Sequence, residues 1–166
     1  MMHALSFISF QWTEHMKLEL KQRQNYRFIF PIQTRWADND MYGHVNNVTY
    51  YSYFDTAANA LLIEKCGFDA HQSPIIGLVV ESSCKFYKEL SYPEIIEVGV
   101  SIERIGNSSL TYDLAIFKLN ENQASAQGHF VHVFVNRETR KSTPIPQYMR
   151  DALSQFFSQN TSKFIH

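Results

Sequence analysis

Two hydrophobic periods divide the chain. Across residues 47–66, Val48, Tyr51, Phe54, Ala58, Leu61 and Leu62 recur at helical spacing. Tyr50, Tyr53, Ala57 and Ala60 widen that stripe until little polar face is left, and a helix apolar on most sides is one that the rest of the fold surrounds. Asn46 and Asn47 suit its N-cap, and Gly67 suits the left-handed residue that ends it. From residue 78 the period falls to two, with strands expected over 78–87, 95–105, 110–119 and 124–136. In 95–105, Ile96, Val98, Val100 and Ile102 share one face while Glu97, Ser101 and Glu103 share the other, which is half-buried antiparallel alternation. The turns Gly106-Asn107-Ser108 and Asn120-Glu121-Asn122 join successive runs as hairpins. Ahead of the helix, residues 26–36 are rich in β-formers, and Pro31, having no N–H for a ladder, puts that strand at an edge or a bulge. Pro144 and Pro146 bound a short amphipathic helix over 147–157. The order of strand, long helix and four consecutive antiparallel strands predicts an α+β fold, with one antiparallel sheet wrapped around a central helix.

At 166 residues the chain fits one domain, expected over 25–160, behind an N-terminal extension of residues 1–24 that could carry a helix from 13 to 24. A formal net charge of −1 with no basic block leaves out the electrostatic footprint of nucleic-acid binding and gives no reason for adsorption to anionic membranes. No apolar run approaches the roughly 20 residues of a membrane span. Two cysteines, Cys66 and Cys84, make no disulfide framework and lack metal-ligand spacing, so a reducing, cytoplasmic compartment is expected. Open sheet edges and an aromatic content of 14% favour a homodimer or homotetramer.

Chemistry concentrates just before the helix. The run D-N-D-M-Y-G-H-V-N-N-V-T-Y-Y sets Asp38, Asp40, His44, Asn46 and Asn47 around Gly43, where an extended segment gives way to the helix start. The free N–H groups there suit a developing negative charge, and a carboxylate and an imidazole beside them could activate an attacking species. Asp40 also fits an Asx turn before Gly43, and Asp38 a loop acceptor. His44 alone could orient Asp40, polarise a carbonyl, donate to a water, or simply hold the loop.

The D-x-x-G-H-V-N-N-x-x-Y pattern between a strand and a long helix, with the stretches 79–90, 92–98 and 103–112, resembles the hotdog-fold acyl-CoA thioesterases of the 4-hydroxybenzoyl-CoA thioesterase-like group. The resemblance covers roughly residues 26–140 and implies hydrolysis of an acyl thioester to a free acid and CoA, with CoA as part of the substrate and no cofactor. It implies Asp40 as the catalytic carboxylate, acting as base or nucleophile, and a backbone N–H at about Asn47, helped by Val48 or Gly43, as the oxyanion donor. In the leading reading His44 is an auxiliary group. Two departures bear on the substrate. Tyr42 stands where acyl-ACP thioesterases carry Asn, and the enzymes acting on 4-hydroxybenzoyl-CoA have no His after the Gly. The rival readings are a hotdog enoyl-CoA hydratase or dehydratase, whose motif has Asn-Pro where this chain has Met41-Tyr42-Gly43, and a module that binds acyl-CoA without turnover.

Tyr50 is a candidate acyl-pocket residue, with core as its alternative. Lys85 and Lys88 are candidates for the CoA phosphates, with solvated strand residues as theirs. Cys84 reads as a buried small hydrophobe rather than a nucleophile, and Glu81 falls on the opposite strand face. No metal is expected: His129 and His132, the close pair among seven His, are three apart on a strand and so face opposite ways.

Overall fold

The capping residues set the length of the central helix. The computed structural model describes residues 20–158, and in it helix α1 spans Asn47–Cys66. The Asn46 side chain accepts the Val48 N–H at 3.2 Å, and Gly67 closes the helix in the left-handed region at φ 63°. Tyr50, Tyr53, Phe54, Ala57, Ala58, Leu61, Leu62 and Cys66 are buried. Val48, expected in the apolar stripe, is 66% exposed.

Five strands follow the expected hairpin logic: β1 Phe28–Gln33, β2 Ile75–Phe86, β3 Ile95–Ile105, β4 Ser109–Lys118 and β5 Ala126–Asn136. They form one antiparallel sheet in the order β1-β3-β4-β5-β2, in a hotdog arrangement around α1. Strand β1 is an edge strand, so Pro31 opposite Glu97 can leave its missing donor on the unpaired side. Ile96, Val98, Val100 and Ile102 from β3, Tyr112 and Leu114 from β4, and Phe130 and Phe134 from β5 bury against Phe54, Leu61 and Leu62. Each such side chain taken fully from water contributes about 1.5–3 kcal/mol.

The outer sheet face is partly covered as well. Tyr26 lies on Gly99, where a Cβ would come within 2.5 Å of its ring. Lys21 and Tyr26 both donate to Asp113, and Arg23 pairs with Glu97. The helix expected over 13–24 falls mostly outside the described residues; at its end Gln22 bridges to Gln123, and Arg23–Asn25 form one 3-10 turn.

Several boundaries differ from the sequence reading, β4 and β5 by one or two residues and three elements by more. Strand β1 is shorter than 26–36 because Trp36–Asp38 turn into a 3-10 helix. The C-terminal helix α2 is Gln147–Leu153, tightening to 3-10 over Ser154–Phe156. Strand β2 begins at Ile75 rather than residue 78, and a register shift between Val79 and Glu81 leaves Val80 unpaired in a bulge.

Candidate active site

The loop from β1 to α1 has an inner and an outer half. In the inner half Asp38 is 2% exposed and accepts from the Arg35 backbone N–H at 2.7 Å, from the Arg35 guanidinium at 2.8 and 3.0 Å, and from the Tyr53 hydroxyl at 2.7 Å. Burial pushes its carboxyl up, but the bonds from Arg35 and Tyr53 outweigh burial and hold it below its ordinary value. The Asp38 carbonyl also accepts the Asn46 N–H, so the group that starts α1 hangs from this corner.

The outer half is a tight turn. Asp40 accepts the Tyr42 N–H on Oδ1 at 2.8 Å, its own N–H donates to the His44 carbonyl at 2.8 Å, and Gly43 takes φ +86° to close the loop. The second carboxylate oxygen of Asp40 has no hydrogen-bond partner among the described residues. The Gly43 N–H donates to the Asp40 carbonyl at 3.2 Å and the Val48 N–H to Asn46, which leaves the Asn47 N–H as the unbonded donor at the head of α1 among the described residues.

A pocket of about 240 Å³ opens there, lined by His44, Val45, Asn47, Tyr50 and Phe86–Glu89. Two backbone junctions build its far wall: the Val45 N–H donates to the Leu90 carbonyl at 2.8 Å, and the Tyr87 and Lys88 N–H groups both donate to the Ser125 carbonyl. Tyr50 packs edge-on against Phe86 at 4.9 Å between ring centroids, and burial raises its hydroxyl to about 12, which keeps it neutral at ordinary pH. The lining thus combines aromatic side chains with polar ones.

Of the site residues expected from sequence, His44, Asn47, Tyr50 and Lys88 meet in this pocket. Asp40 and Gly43 sit in the adjoining turn and do not line it. Lys88 forms a 2.7 Å ion pair with Glu121. Lys85 alternates with Phe86 along β2 and so lies on the outer sheet face, away from the pocket. Sequence reading missed Glu89, whose Oε2 stands 3.0 Å from His44 Nε2. No strand pattern marks it, since it lies past the end of β2 beside the buried Leu90.

Other candidate chemistry falls away on geometry. Burial pushes the Cys84 thiol up to about 12 and the Cys66 thiol up to about 11, far from a thiolate nucleophile at neutral pH. His132 faces inward, 2% exposed, within 3.2 Å of the Tyr112 hydroxyl, whereas His129 faces outward beside Glu81 and Glu103. Among the described residues no group of three or more His, Cys, Asp or Glu side chains is disposed to hold a metal ion, and no helix is long and apolar enough to cross a membrane.

Comparison with known proteins places this geometry among relatives. The family description that matches residues 34–153 is the thioesterase-like superfamily. The chain is similar to the PA5185 protein of Pseudomonas aeruginosa strain PAO1, with 49% identity and a TM-score of 0.82 over 84% of this chain and 98% of that one. It is also similar to BH1999, a gentisyl-coenzyme A thioesterase, at 25% identity and a TM-score of 0.68 over 75% of this chain and 98% of that one. Slr0204, a 1,4-dihydroxy-2-naphthoyl-CoA thioesterase from Synechocystis, shares 20% identity over 76% of this chain and 95% of that one, with a TM-score of 0.69, and speaks for the fold alone.

Proposed function

The chain belongs to the thioesterase-like superfamily, and on that premise we propose that it hydrolyses an acyl-CoA to a free acid and CoA. The observation that carries the reading is the Asn47 N–H, left without an acceptor at the N-terminus of α1 where the pocket opens. A donor so placed, backed by the helix dipole, suits the oxyanion of a tetrahedral intermediate, and one such donor is typically worth about 3 kcal/mol in the transition state.

Asp40 supplies the carboxylate through the oxygen that Tyr42 does not hold. As general base it takes a proton from water while the water oxygen bonds to the thioester carbon. Collapse of the oxyanion breaks the C–S bond, and the departing thiolate takes the proton back from Asp40. As nucleophile the same oxygen bonds to the carbon, expels the thiolate and leaves a mixed anhydride that water then opens. ¹⁸O found in Asp40 after single turnover in ¹⁸O-water identifies the anhydride route, with water attacking the Asp40 carbonyl, because the general-base route puts ¹⁸O only in the acid product. His44 on the rim is auxiliary, Tyr50 and Phe86 line the acyl side, and Lys88 is the cation at hand for CoA phosphate. No cofactor enters this scheme. As an edge strand, β2 leaves one row of backbone groups unpaired beside exposed Leu78, Val79 and Val80, which supports a homodimer or homotetramer with a second copy against that edge.

The test is a panel of acyl-CoAs assayed for free thiol, with crotonyl-CoA absorbance followed in parallel. Thiol release supports the proposal. Loss of the enoyl chromophore without thiol, or calorimetric binding without either, overturns it in favour of a hydratase or a binding module.

A further inference from the structure

Glu89 enters the pocket from a segment remote in sequence from the helix start, and the backbone fixes it there. Leu90, which follows it, is fully buried, and its carbonyl takes the N–H of Val45, the residue that follows His44. Lys88, which precedes it, is pinned by its N–H to the Ser125 carbonyl and by its ammonium to Glu121. Glu89 and His44 are therefore presented side by side, and Glu89 Oε2 meets His44 Nε2 at 3.0 Å. The side chains of the pair are 43% and 75% exposed, and ion pairs in such settings contribute about 0–1 kcal/mol to stability. Its consequence lies in where it puts the ring.

We infer that Glu89 is a positioning residue that holds the His44 imidazole at the rim of the pocket through the Nε2–H···Oε2 bond. A carboxylate partner requires the proton on Nε2 and leaves Nδ1 as the ring's remaining hydrogen-bonding atom. The ring so held shares a wall with Asn47, whose N–H is the proposed oxyanion donor. Glu89 itself need not touch the thioester. The inference rests on the thioesterase reading for its kinetic consequence and on the 3.0 Å contact alone for its geometry.

Two measurements test it. The first is activity-independent: the imidazole N–H resonance of His44 in ¹⁵N-labelled protein, assigned by its absence from His44→Gln. A protected Nε2–H signal is expected in the wild type and in Glu89→Gln, whose amide oxygen can still accept, and is expected to vanish in Glu89→Ala. A signal unchanged in Glu89→Ala overturns the inference, whatever the enzyme turns over. The second uses the best acyl-CoA of the panel. Glu89→Ala is expected to lower kcat by about tenfold with KM unchanged, the size of effect that a displaced catalytic group produces. Glu89→Gln should restore most of it, and the Glu89→Ala effect should disappear in a His44→Ala background. An equal loss in both backgrounds overturns the inference. If the wild type releases no thiol from any acyl-CoA, the functional reading falls while the resonance still decides the role of Glu89.

Discussion

Asp38 and Asp40 stand two residues apart on one loop, and their surroundings could hardly differ more. Asp38 is buried, with Arg35 and Tyr53 bonded to its oxygens, and its carbonyl holds Asn46 at the start of the helix. Asp40 is partly exposed, bonded through one oxygen to its own turn, with the other left over. A carboxylate with every lone pair engaged has nothing to offer a substrate, whereas one with a spare oxygen, in the turn that leads to the helix start, does. The inner half of the loop builds the site and the outer half is proposed to use it.

That contrast can be broken first through Asp38. Asp38→Ala leaves the Tyr53 hydroxyl and the Arg35 guanidinium without their acceptor and should cost about 3 kcal/mol, read as a lower urea midpoint. A loss under about 0.5 kcal/mol would mean that the corner is not structural.

Acid titration sharpens the same point. Burial depresses the His132 imidazole to about 4. Between its ordinary value near 6.5 and that value, the unfolded chain binds a proton that the folded one refuses. Stability should therefore fall by about 3 kcal/mol as pH drops through this window. His132→Phe should flatten it. Asp38 acts lower: its contribution is complete above the unfolded value near 3.8 and is lost as pH falls through its depressed folded value. A urea series from pH 7 to pH 3 on wild type, His132→Phe and Asp38→Asn reads both.

Asn46 links the two halves, and Asn46→Ala should cost about 1 kcal/mol by uncapping α1. Gly43→Ala, at φ +86° with open space around its Cβ, should cost about 1 kcal/mol from backbone strain alone, seen as a small drop in Tm.

Much of this was legible in the chain because the signals are local. Asn46 and Gly67 mark both ends of α1, and β3 repeats apolar residues at every second position from Ile96 to Ile102. Asp38 could be read as a loop acceptor, and the structure places it so. What was not legible depends on contacts distant in sequence. The bulge at Val80 shifts a phase that alternation alone cannot reveal. Lys85 and Lys88 look equivalent as cations, but strand geometry sends one to the outer face and brings the other to the pocket. Glu89 meets His44 only because Val45 bonds to Leu90. Val48 reads as core, yet it is 66% exposed.

The proposed division of labour within the loop is tested most directly by thiol release from Asp40→Asn, assayed on the best acyl-CoA of the panel beside a urea titration of the same sample. The expected result is a fall in kcat of about 10³-fold with the urea midpoint unchanged. Retention of kcat within about tenfold of wild type, by a variant that folds as the wild type does, would contradict it.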